Sequence, residues 1–163
     1  SLLASKRILP MSFDVMLFDP SNVSSNQEEC IAWIEGQHDL HGMSADDDKE
    51  IDKSSDKIKQ WCTDISSNYP DLDPERSTCV ISVRDQSILF NAPWRIAVEA
   101  FDTAFKLAQK HGLAVVEISA EEPDVWMPTE SGELHVMFKW TPSPSENLTP
   151  LQKVFAQLKK LFS

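Results

Sequence analysis

The chain has 163 residues, 41% hydrophobic and 9% aromatic, with 26 acidic against 15 basic side chains and a formal net charge of −11. Its apolar content is too high for a disordered chain, and no apolar run reaches the ~18–20 residues of a membrane-spanning helix. The acidic balance disfavours nucleic acid and anionic membranes as partners and favours a basic one.

The opening ten residues, SLLASKRILP, lack the apolar core of a signal peptide. Met11 reads as a natural start, and residues 1–10 as an upstream extension or cloning remnant. Phe13 to Phe18 is an unbroken apolar run closed by Asp19-Pro20, which predicts a buried strand and a turn. Ser25 followed by Glu28 has the spacing of a capping box, so a helix should start there. Cys30, Ile31, Trp33 and Ile34 give it an apolar face, and Gly42 ends it. Residues 44–53 read as an acidic loop or frayed turn. A second helix carries Ile58, Trp61, Cys62 and Ile65 at helical spacing and stops before Pro70.

Thr78 to Arg84 and Ser87 to Asn91 read as two strands of a hairpin joined through Asp85-Gln86. From Pro93 to His111 the stripe Trp94, Ala97, Val98, Phe101, Ala104, Phe105 and Ala108 predicts a helix capped by Gly112. Leu113 to Ile118 reads as a buried strand, Trp126-Met127 as a short edge piece, and Leu134 to Trp140 as a last strand. Residues 141–148 are a Pro/Ser linker. Residues 149–163 read as an amphipathic helix opened by Thr149-Pro150, with Leu151, Val154, Phe155, Leu158, Leu161 and Phe162 on one stripe.

The expected fold is therefore one α+β domain over 11–140, with an antiparallel or mixed sheet of about four to five strands and helices on one face. Counting the first two helices as one crossover, the order β-α-β-β-α-β is that of the ferredoxin-like split βαβ pattern. Two full antiparallel helices in that crossover would return the chain to its starting end.

No sequence motif points to catalysis. The chain has four glycines and no P-loop, GxGxxG or GxSxG, so no cofactor is expected. Glu35, His38 and His41 share a helix face but lack the HExxH spacing, and read as solvated surface. Asp46, Asp47, Asp48, Glu50 and Asp52 are too crowded, and lack the central glycine, for a calcium loop. Cys30, Cys62 and Cys79 are an odd set with no CxxC pair, which argues against a disulfide framework or zinc site and fits a reducing cytoplasm.

The charge is more informative. Residues 44–75 carry a net −6, residues 117–133 another −6 without a base, and the rest is near neutral. Acidic loops of this kind steer a basic protein partner, with buried aromatics setting affinity. The residues expected to meet it are Asp46, Asp47, Asp48, Glu50 and Asp52, then Glu121, Glu122 and Asp124, with Trp126 as an aromatic anchor.

The stretch Met11-Ser-Phe-Asp-Val-Met-Leu-Phe-Asp-Pro20 resembles the start of an uncharacterised family of small acidic bacterial proteins. Lys110 to Ser119 and Val125 to Pro128 resemble their later part, so the likeness covers 11–134. In size, charge and organisation the family is similar to the immunity proteins of polymorphic and contact-dependent toxin systems. The resemblance implies a cytoplasmic, non-enzymatic inhibitor of a basic toxin such as a nuclease effector, and it carries no catalytic residue. Two other readings stay open: a small enzyme or ligand-binding domain with a pocket between sheet and helices, and an accessory protein that dimerises through residues 149–163.

Overall fold

Val15, Met16, Leu17 and Phe18 are all fully buried, so the first strand lies inside the protein with both its faces covered. In this computed structural model, which describes residues 12–69, 79–120 and 122–140, that strand is β1 (Ser12–Phe18). The N-terminal extension, the 141–148 linker and the 149–163 helix lie outside the described residues. The other strands are β2 (Val80–Arg84), β3 (Ser87–Pro93), β4 (Ala114–Glu117), β5 (Asp124–Pro128) and β6 (Leu134–Lys139). They form one six-stranded sheet in the order β2-β3-β1-β4-β5-β6, with every pair antiparallel. The first four strands stand in the order of the split βαβ pattern, and β5 and β6 extend it. The α+β class is as expected, with one or two strands more. Trp126-Met127 belongs to an interior strand, and the edge position falls to β6.

The helices are α1 (Gln27–His41), α2 (Asp47–Lys53), α3 (Asp56–Asn68) and α4 (Ala97–His111). They do not share one face. Val15, Leu17, Val83, Ile88, Phe90 and Val115 pack against Ile58, Trp61 and Ile65 of α3 and the alanines of α4. Met16, Phe18, Ala114, Val116 and Val125 pack against Cys30 and Ile34 of α1 on the other face. The reason is in the strands: an apolar run without alternation needs cover on both sides. This also settles the crossover. Glu35 of α1 accepts a hydrogen bond from Trp140 Nε1 beyond β6 (3.3 Å), while His41 reaches Ser82 on β2 and Ser87 on β3. Helix α1 thus lies across the sheet, and α3 alone makes the return between β1 and β2.

Local chemistry explains the boundaries. Asn26, one residue after the expected cap, closes the start of α1 by accepting from Glu29 N (3.1 Å). The stretch read as an acidic loop is the short helix α2, because Asp46 accepts from the Asp48 and Lys49 amides and Asp47, Asp48 and Glu50 fill the first turn. Gly42 ends α1 in a right-handed conformation, whereas Gly112 (φ 69°) gives α4 the left-handed cap that its position predicted. His111 bonds Asp64 (2.6 Å), which also pairs with Lys110 (3.0 Å); together they tie the end of α4 to α3 and hold the Asp64 carboxyl below its ordinary pKa. The three cysteines are free and buried, and burial pushes the Cys62 thiol up to about 12. Among the described residues no helix is long and apolar enough to cross a membrane.

Candidate functional site

Part of the first acidic segment is engaged by the fold. Strand β2 is a sheet edge, and α2 lies along it. Asp47 Oδ1 accepts from the Val83 amide (3.2 Å) and pairs with the Arg84 guanidinium. Glu50 Oε2 accepts from the Asp85 amide (3.1 Å), and Arg84 also donates to the Met43 carbonyl (3.1 Å). Acids in this position satisfy edge amides that would otherwise pair with another chain. Of the five acids expected at a partner surface here, Asp46 caps a helix and Asp47 and Glu50 guard the edge, while Asp46, Asp47, Asp48 and Asp52 are all exposed.

The second acidic segment lies at a different corner. Val116 pairs with Val125, which places Glu117 opposite Asp124 on neighbouring strands. Lys139 of β6 sits 3.7 Å from Asp124 and 3.6 Å from Glu122. Glu121 lies outside the described residues. Between the two acidic corners run β3, β1 and β4, about 19 Å at the usual strand spacing of ~4.8 Å. They are also at opposite ends of the sheet: Ser87, beside the Asp85 turn, pairs with Phe18, whereas Glu117 pairs with Val15. The acids do not make one patch.

What adjoins the second corner is aromatic. Strand β3 runs through Pro93 into a 3-10 turn (Trp94–Ile96) and then into α4. Helix α4 seats Ala97, Ala100, Ala104 and Ala108 on the sheet, since small side chains allow close approach. Seating that row leaves Phe101 and Phe105 half-buried along its flank and turns Val98 outward. Val98 is 87% exposed and Trp94 50%, so both leave the apolar stripe on which sequence spacing placed them. The rings form a chain: Trp94 against Phe13 (5.7 Å), Phe13 against Phe101 (5.6 Å), Phe101 against Phe105 (5.7 Å) and Phe105 against Trp126 (5.2 Å). Trp126 is therefore half-buried under α4, with its indole N–H buried and without a hydrogen-bond partner. Phe13, Trp94, Ala97, Val98, Phe101 and Glu117 line an open hollow of about 230 Å³.

No family model, curated protein or solved structure matches this chain.

The chemistry of the corner rests on Glu117. Burial, and then the Asp124 carboxylate opposite, raise its pKa above the ordinary glutamate value. A carboxyl with a raised pKa so placed can exchange a proton or hold a cation. Like charges opposed across strands cost stability. Glu117→Gln should therefore raise stability at pH 7 by about 0.5–1 kcal/mol. The sign follows from linkage: a raised carboxyl pKa favours the fold at low pH and disfavours it once both states are ionised. The gain should shrink as pH falls to 4 and below in urea titrations. An equal gain at pH 3 and pH 7 would mean the charge is not the cause.

A second polar cluster was hidden from the sequence reading. Ser87, fully buried, donates to Gln37 Oε1 (2.7 Å), and Gln37 Nε2 donates to Asp85 (2.9 Å). His41 Nε2 lies 2.8 Å from Ser87 Oγ and its Nδ1 3.0 Å from Ser82 Oγ. So His41 is not solvated surface. Nor is it half of a nucleophilic pair, because the Ser87 hydroxyl is inaccessible and its proton is already committed. The cluster fastens α1 to the β2–β3 hairpin. Among the described residues no group of three His, Cys, Asp or Glu is placed to hold a metal ion.

Proposed function

We propose that this protein is a cytoplasmic protein-binding protein of the immunity type, an inhibitor that neutralises a basic bacterial toxin such as a nuclease effector. One observation carries the reading: an exposed apolar ridge, Trp94 and Val98, lines one hollow with Glu117, which faces Asp124 across the β4–β5 register. Apolar centres flanked by charge are typical of protein interfaces, and the sign selects a basic partner. The binding face moves accordingly. Glu122 and Asp124 stay in it, Trp126 backs it from beneath, and Trp94, Val98 and Glu117 join it, while Asp46, Asp47 and Glu50 serve the fold.

The test is co-expression with the product of the adjacent gene. A toxic neighbour should be neutralised and should co-purify, with affinity falling as salt rises. Val98→Asp should weaken that binding at least tenfold, whereas Asp48→Lys with Asp52→Lys at the far corner should change it less than about threefold. A neighbour that is a metabolic enzyme, or binding lost at the far corner instead, sinks the reading.

A further inference from the structure

We propose that the hollow between Phe13, Trp94, Phe101 and Glu117 is a receptor for one arginine side chain of the partner. This deepens the binding reading above and rests on it for the partner's charge, but the chemistry is local. At about 230 Å³ the hollow falls below the ~300–1,000 Å³ of small-molecule sites and suits a single side chain. Its walls are aromatic. Phe13 meets Trp94 at 67° and Phe101 at 87°, so rings of different orientation surround the opening. A planar guanidinium stacks on such rings and sheds water more readily than an ammonium does.

Its charged wall is Glu117. Among the described residues no cation lies within ion-pair distance of this carboxyl, and Lys139 is spent on Glu122 and Asp124. Glu117 is thus a half-buried acid facing another acid across the sheet, with its charge uncompensated. Burial and Asp124 hold its carboxyl toward the protonated form. An arriving guanidinium supplies the missing counter-charge and offers paired N–H donors that match a carboxylate. Neither an aliphatic side chain nor an anion would relieve Glu117.

The test uses the full-length chain and three blocked tripeptides, Ac-Gly-Arg-Gly-amide, its lysine counterpart and its neutral citrulline counterpart. The readouts are the Trp94 indole and Glu117 carboxyl signals by NMR. The arginine peptide should shift both signals saturably. The lysine peptide should bind more weakly, and citrulline at least about tenfold more weakly. Glu117→Gln, which keeps the fold, should remove about tenfold of the arginine affinity. Equal binding of arginine and citrulline overturns the proposal, as does an unaffected Glu117→Gln. So does a Trp94 shift that follows protein concentration alone, which would make the hollow a contact between two copies. Because no toxin is present, the outcomes separate. Arginine binding without a toxic neighbour sinks only the immunity reading. Capture of a toxin by a chain whose hollow ignores arginine sinks only this inference.

Discussion

Replacing Trp61 with alanine is expected to cost about 3–5 kcal/mol, the largest loss from any single side chain here. Trp61 is the largest fully buried side chain among the described residues. It stands on α3, packs edge-on against Phe90 of β3 (5.7 Å, 75°), and donates its indole N–H to the Ala104 carbonyl of α4 (3.2 Å). One residue thus joins both helices of that face to the sheet. Truncation removes the packing, opens a cavity the alanine-lined α4 cannot fill, and deletes the helix-to-helix bond. A domain of this size holds only about 5–15 kcal/mol in all, so the variant should be close to unfolding at 37 °C. Trp61→Phe keeps most of the volume and should lose less than half as much. Urea titrations followed by circular dichroism measure both. A Trp61→Ala loss under about 1.5 kcal/mol would mean that this core is looser than its burial implies.

Trp61 was legible because helical spacing and burial agree there. Val98 obeys the same spacing and is exposed. Periodicity identifies a stripe wide enough for two rows, and which row touches the sheet depends on how closely the helix must approach. In α4 the alanine row wins because it lets the backbone come down, and the phenylalanines and Val98 are displaced to the flank. The two-sided cover of β1 was present in the sequence as an unalternated apolar run. Reading it as merely buried, without asking what covers each face, placed all the helices on one side. Helix α2 escaped because seven residues with six charges carry little apolar signal. Its stability comes from Asp46 at its start and from bonds to an edge strand 36 residues away.

The corner proposed for binding was half legible. Charge density picked out Glu122 and Asp124, but it put the larger cluster at 46–52 first. No sequence count distinguishes an acid facing solvent from one accepting an edge amide. Glu117 went unnoticed as a site residue because it ends an apolar run, and its opposition to Asp124 exists only through the β4–β5 register. A lone acid closing a buried strand, with another acid opening the next, was the available signal.

The same limit applied to His41, and its chemistry yields the second large prediction. The Asp85 carboxylate can only accept, so the Gln37 amide nitrogen must face it and the Gln37 oxygen must face Ser87. Ser87 then spends its proton on a carbonyl oxygen, either that of Gln37 or that of Arg84 (3.2 Å). His41 Nε2 must therefore carry a hydrogen and donate to Ser87, which leaves Nδ1 to accept from Ser82. The cluster thus selects one neutral tautomer. Burial, and then the positive charge of Arg84, lower the His41 pKa to about 4, against the opposing pull of Asp47. In the unfolded chain the imidazole titrates near its ordinary 6.5. Between these values the unfolded chain takes up a proton that the fold refuses. The stability contributed by neutral His41 is complete above pH 6.5, declines as pH falls, and is gone below about 4. A shift of this size corresponds to about 3 kcal/mol. His41→Asn should cost about 1–2 kcal/mol at pH 7 through the lost bonds, yet it should flatten the stability profile between pH 6.5 and 4. Nitrogen NMR of the wild-type protein at pH 7 should show the Nε2–H tautomer. Protonation of His41 with a midpoint near 6.5 in the folded state, or equally steep acid profiles for both proteins, would place its imidazole in water instead of in the Ser82–Ser87–Gln37 cluster.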